Sequence, residues 1–360
     1  MNKNKVHNGL IGLWKFIFCL AIVIYHSGPF YVKGAPPLFR GGYIAVEFFF
    51  LVSGFYFAKS VLKGRYQKSK IGKETIQFIW KRLKKLLPYL IIIYILSIIL
   101  YYFWFKPPLT ISELVNSVWS LLMLKVIGFR APYINGATWY ITVLFLSMLI
   151  LYPLLKKHKE NFILIASPLI VLLCLGHLYH NDIGLNHSYL IWKKFFYTGF
   201  IRGFAEINIG FIIYYINQKC KKIEYTNIGK SILTIIPWIL LITVLVVTSF
   251  IPRHNEYDYV LLLMIMISIQ IMISGKTYDL KFFSNKFVFF LEKISMIIYI
   301  NHSLFRIMIS NTPLINISPN KCLIIYICIT LIFSIVEYFI IEKMKTINYC
   351  RFKKIFIKET

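Results

Sequence analysis

The sequence predicts an all-α fold: a polytopic membrane helical bundle of about ten transmembrane helices with one short re-entrant or interfacial segment. Three observations carry that expectation. Of 360 residues, 58% are hydrophobic and only 15% charged, where soluble domains carry about a quarter charged; the mean hydropathy is +0.67. Apolar runs near twenty residues recur from end to end, the length that crosses a hydrocarbon layer of about 30 Å. The lysines and arginines, finally, gather in alternate loops.

The runs fall near 10–29, 43–62, 86–105, 138–155, 162–179, 195–216, 232–251, 259–275, 287–309 and 321–341. A shorter apolar piece near 114–128 is too short to cross and suits a re-entrant or interfacial segment. No polar stretch is long enough for a separate soluble domain, so residues 1–345 read as one membrane domain and 346–360 as a short basic tail. Lys3 and Lys5 ahead of the first run imitate a signal peptide, but no small-residue cleavage site follows and the run reads as an uncleaved span.

The net charge of +27 is placed as topology rather than as a nucleic-acid surface. Lys3, Lys5, the run Lys59–Lys85, Lys156, Lys157, Lys159, Lys219, Lys221, Lys222, Lys230, Lys276, Lys281, Lys286 and the tail Lys343–Lys358 fall on one side of a ten-span chain. The other side receives few cations, among them Lys33, Arg40, Arg130 and Arg253. The positive-inside rule then makes both termini cytoplasmic in a multi-pass protein of the cell membrane, with anionic headgroups as neighbours. The six cysteines show neither metal-ligand spacing nor a disulfide framework, so no metal is expected.

Charged and titratable residues inside the spans are the candidate site. In the first span Lys15 and His26 are eleven steps apart, which on an α-helix puts them on one stripe, roughly 16 Å apart. Two readings fit that stripe: a snorkelling lysine with a singly bonded histidine, or two ends of one functional path. Glu47 in the second span reaches a depth similar to His26, across a short hairpin. A carboxylate there would orient an imidazole base, or the two would simply tie neighbouring helices. Arg202 and Glu206 are four apart on the sixth span and can pair across a turn. His302 lies in the outer half of the ninth span, Trp139 and Tyr140 start the fourth, and Tyr140 suits an interfacial aromatic belt. Glu337, in the inner half of the last span, suits a counter-charge for a cation such as Lys15. Lys81, Arg82, Lys84 and Lys85 precede the third span, either as topology anchors or as a phosphate-binding cluster.

At these residues the chain resembles the integral membrane acyltransferase family 3, of the polysaccharide O-acetyltransferase type. The family's basic residue, ten-residue gap and histidine fall on Lys15 and His26; its second-span motif falls on Val46, Glu47, Phe49, Phe50, Ser53, Gly54 and Phe55. Its loop pair of arginines falls on Arg82 and Lys85 ahead of Pro88, its sixth-span motif on Arg202, Glu206 and Gly210, and its late motif on Ile294, Ser295, Tyr299 and His302. Lysine stands for arginine at 15 and 85, which at 85 forgoes bidentate phosphate binding. The chain stops soon after the tenth span, so the extracellular hydrolase-like domain of some members is not expected.

The resemblance implies an acyl-coenzyme A donor, most often acetyl, and a hydroxyl acceptor on a cell-surface or lipid-linked glycan. It implies catalysis by His26 with Glu47, donor phosphates at Lys15, Arg82 and Lys85, and an acceptor region supported by His302, Trp139, Arg202 and Glu206. General base catalysis and an acyl-histidine intermediate both fit. The rival from composition alone is a transporter or flippase of a glycan or its precursor. Carriers often carry inverted repeats, and no internal symmetry is visible here.

Overall fold

The computed structural model describes residues 9–31, 36–63, 67–103, 110–122, 124, 127–129, 135–186, 192–193, 196–250, 256–278, 283 and 285–357. Side chains are described over the same residues apart from 103, 182, 192, 193, 196 and 347–357. The described residues form a bundle of eleven α-helices: α1 Gly9–Tyr25, α2 Ala45–Val61, α3 Ile71–Phe103, α4 Ile111–Leu121, α5 Thr138–Asn161, α6 Ser167–Asp182, α7 Thr198–Lys219, α8 Asn227–Phe250, α9 Tyr257–Ile273, α10 Lys286–Ser310 and α11 Pro319–Ile357. A two-residue antiparallel pairing, Trp192–Lys193 with Phe196–Tyr197, is the sole strand structure among the described residues.

Among the described residues, eight helical segments are long and apolar enough to cross a membrane. One of them, Thr138–Asn181, is 44 residues long, more than twice what one crossing needs. It divides at Lys159, whose φ of 48° and ψ of −121° break the helix, and α5 and α6 on either side both pack on α7. The 17-residue α9 is a shorter apolar helix, at the lower limit for a crossing. The ten expected runs therefore correspond to α1, α2, α3 and α5 to α11. The short apolar piece is α4, an amphipathic helix started by a capping box: the Thr110 hydroxyl accepts from the Glu113 amide, and the Glu113 carboxylate accepts from the Thr110 amide.

Two boundaries differ from the sequence expectation. Helix α3 starts at Ile71 rather than near 86, so its lysine-bearing first half is a helical extension. Its 33 residues are roughly 50 Å long, well beyond the hydrocarbon thickness. Helix α11 likewise continues to Ile357.

Burial separates a central group of helices from a peripheral one. The most apolar window of α2 is 78% buried, and those of α7, α10 and α1 are 67%, 67% and 56% buried. The windows of α3 and α8 are only 22% buried and that of α11 28%, as expected of helices that face lipid. The central contact is α2 against α7, and two glycines make it possible. A Cβ on Gly54 would lie 2.3 Å from the Ile207 carbonyl oxygen, and one on Gly210 would lie 2.6 Å from the Gly54 Cα. The backbones approach as closely as small residues allow.

The basic helix ends meet at one end of the bundle. Lys156 at the end of α5 donates to the Val61 carbonyl at the end of α2 and lies 4.0 Å from Glu74 at the start of α3. Lys219 of α7 approaches Glu160 of α5 at 3.8 Å, and Lys276 beyond α9 donates to the Lys221 carbonyl. Bonds at the opposite end include Asn135 to the Ile300 carbonyl and Gly41 to the Thr248 carbonyl.

Candidate active site

The site is built on the seam between α1 and α10, which run parallel and in register. Three contacts climb it in order. Lys15 Nζ donates to Glu292 Oε1 at 2.6 Å, Cys19 Sγ donates to the Ser295 carbonyl at 3.0 Å, and the rings of His26 and His302 lie 5.1 Å apart. Positions 15, 19 and 26 repeat at helical spacing on α1, and 292, 295 and 302 do the same on α10, so each set forms one stripe. Lys15 lies at the lysine-rich end and His26 at the other.

His26 follows the last residue of α1, its amide donating to the Ile22 carbonyl. Gly28 and Pro29 then divert the chain into a 3₁₀ turn. The imidazole is half-buried, with the Tyr25 ring edge-on at 5.0 Å. His302 is fully inside, and its Nδ1 lies 2.6 Å from the Tyr299 carbonyl. A carbonyl oxygen only accepts, so Nδ1 carries the proton and Nε2 is left facing the other way. The start of α5 is fastened beside it: Asn135 donates to the Ile300 carbonyl at 2.8 Å, and the Gly136 amide donates to the Ser303 hydroxyl at 3.3 Å.

Glu47 has a different partner from the one expected. Its Oε1 accepts from Arg202 Nη2 at 2.5 Å, while Arg202 Nε donates to Glu206 Oε1 at 3.2 Å. The reason is helical phase. Tyr43 lies one turn before Glu47, and Arg202 Nη2 also reaches the Tyr43 carbonyl at 2.9 Å. That face of α2 therefore looks onto α7, and the ring that meets His26 across the seam is His302. Arg202, Glu47 and Glu206 are all buried, and the Arg202 guanidinium lies 5.8 Å from the centre of the Trp139 ring. A buried guanidinium with two carboxylates fixes α2 against α7 beside the histidines, and Tyr25 links the two groups by also packing on Tyr43 at 5.8 Å.

One member of this network escaped the sequence reading. Asp258 at the start of α9 accepts from the Tyr43 hydroxyl at 3.0 Å and from the Leu185 amide at 2.7 Å, and is wholly buried. Its signal was available: one acid opening an otherwise uncharged apolar run.

Two further expectations change. Tyr140 is no belt residue: it is 2% exposed, its hydroxyl is 3.1 Å from that of Ser53, and its ring packs on Phe50 and Tyr299. Glu337 does not neutralise Lys15. It accepts from Asn301 Nδ2 at 2.7 Å inside the α10–α11 contact, and Glu292 supplies the carboxylate at Lys15. Arg82 and Lys85 sit on peripheral α3, where the Arg82 guanidinium lies 3.4 Å from the centre of the Phe78 ring and donates to the Phe78 carbonyl. Lys85 is exposed. No group of three or more potential metal ligands occurs among the described residues.

No curated protein and no solved structure matches this chain. The family of acyltransferase domains does match, over residues 9–340, a stretch that holds every helix of the seam and the charge network. The chain belongs to the membrane acyltransferases of family 3.

Proposed function

We propose that this acyltransferase moves an acyl group, acetyl in the simplest case, from acyl-coenzyme A on the cytoplasmic side to a hydroxyl of a cell-surface or lipid-linked glycan. The observation that carries the reading is the α1–α10 seam. It sets a cation at the lysine-rich end and a pair of imidazoles at the other, roughly 16 Å along one helix. Coenzyme A separates its phosphates from its thioester by an extended arm of that order. Phosphates near Lys15, with Arg82 and Lys85 as further candidates on α3, put the thioester within reach of His26.

In this reading His26 is the general base. As the acceptor oxygen attacks the thioester carbon, the imidazole takes the hydroxyl proton. The carbon–sulfur bond then breaks, and the imidazolium returns the proton to the departing thiolate, giving an ester and a free thiol. His302 and Trp139 stand beside the acceptor. Glu47, with Arg202 and Glu206, holds α2 and α7 in place and acts on His26 through the Tyr43–Tyr25 packing.

The test is sidedness. The protein is reconstituted in sealed vesicles with its orientation fixed, and acetyl-coenzyme A is supplied to one face at a time. Transfer to a glycan on the far face is expected only when the donor meets the lysine-rich end. Transfer from either face alike, or none from the lysine-rich face, overturns the reading.

A further inference from the structure

The contact at Lys15 says more than that a cation is present. Glu292 and Lys15 are each about one-fifth exposed, at 22% and 21%, so the pair stands at the mouth of the seam and not in its core. Lys15 Nζ also lies 5.8 Å from the centre of the Tyr56 ring, and Lys59 Nζ lies 5.8 Å from the same ring. Two ammonium groups thus lie near one aromatic ring, and one of them already holds a carboxylate. Lys59 is in the last turn of α2, on the central helix group, unlike Arg82 and Lys85 on α3.

We propose that Lys15, Lys59 and Tyr56 form the anion site for the donor's phosphates, and that Glu292 is the internal counter-ion that competes with the donor for Lys15. The inference rests on the donor reading above. A carboxylate and a phosphate offer a lysine the same acceptor chemistry, but the phosphate brings more negative charge and more oxygens. A phosphate arriving at the mouth displaces Glu292 from Lys15 and gains Lys59 beside the same ring, which Glu292 does not pair. Glu292 therefore sets donor affinity by competing for Lys15. It is a positioning residue and takes no part in the chemistry.

The test measures binding of free coenzyme A by calorimetry to the full-length protein in nanodiscs of neutral phosphatidylcholine. Glu292→Gln keeps the shape and removes the charge; coenzyme A is expected to bind about two- to five-fold more tightly, the size of a partly exposed ion pair. Lys59→Gln is expected to weaken binding, and in a Lys15→Gln background the Glu292→Gln gain is expected to vanish. A purely structural role for Glu292 would not tighten binding. Glu292→Asp, which retains the charge, checks that the gain follows the charge and not loosened packing; a gain equal to that of Gln overturns the proposal. Unchanged or weaker binding in Glu292→Gln, with Lys15→Gln still weakened, overturns the proposal and leaves the donor reading standing. Unchanged binding in Lys15→Gln overturns the donor reading itself. The same titration with anionic phosphatidylglycerol added tests the other source of phosphate. If the Glu292→Gln gain is abolished there, the site belongs to lipid headgroups and the proposal fails.

Discussion

At the scale of single residues, Arg202 carries the largest predictable cost. Its guanidinium is 1% exposed and holds Glu47, Glu206 and the Tyr43 carbonyl at once. Arg202→Ala leaves two buried carboxylates facing each other, and removing one member of a buried ionic group typically costs about 3–5 kcal/mol. Arg202→Lys keeps the charge but loses the fork that reaches three oxygens, so it is expected to melt between Ala and the parent. Thermal unfolding in detergent of the three proteins checks the order; equal melting temperatures would show that the network does not hold the fold. The sequence shows these residues readily, because charges in apolar runs stand out. It shows their partners poorly. Spacing finds a pair within one helix, as for Arg202 and Glu206, but choosing between His26 and Arg202 for Glu47 depends on how α2 is rotated. Lys15 is the same case: Glu292 and Glu337 lie on different late helices, and packing alone selects Glu292.

Among the elements, α2 and α7 matter most, since Gly54 and Gly210 let their backbones touch and so bring Glu47 to Arg202. Gly210→Val has nowhere to put its side chain: even a Cβ there falls 2.5 Å from the Leu51 carbonyl oxygen. The helices must separate, at a cost of about 1–3 kcal/mol for an overpacked core. Gly72, where an added Cβ meets nothing within 4 Å, is the control, and Gly72→Val is expected to melt no lower than the parent, since valine forms helix at least as well as glycine. Comparing folded yield and melting temperature of the two variants checks this. Helix positions were legible from hydropathy because a membrane crossing needs a long apolar run. Helix lengths were less so. The first half of α3 and the far end of α11 carry enough lysine to read as loop, yet their backbones continue as helix beyond the apolar core.

For the whole molecule, the charge pattern and the packing tell the same story from two directions. Loop lysines alternate in the sequence, and in the fold the basic helix ends meet through Lys156, Lys219 and Lys276 at one end. What composition cannot give is the split into central and lipid-facing helices. The crossing helices are all apolar, and only packing shows that α1, α2, α7 and α10, which carry most of the candidates named from the sequence, form the buried centre while α3 lies outside. The stripe from Lys15 to His26 runs through that centre, and in the proposed reading the imidazole is its active end. The most direct measurement is acetyl transfer by His26→Ala, alongside its affinity for coenzyme A. Loss of a general base lowers the rate by about 10²- to 10⁴-fold with donor affinity retained; a folded His26→Ala protein that transfers at the parent rate would contradict the account.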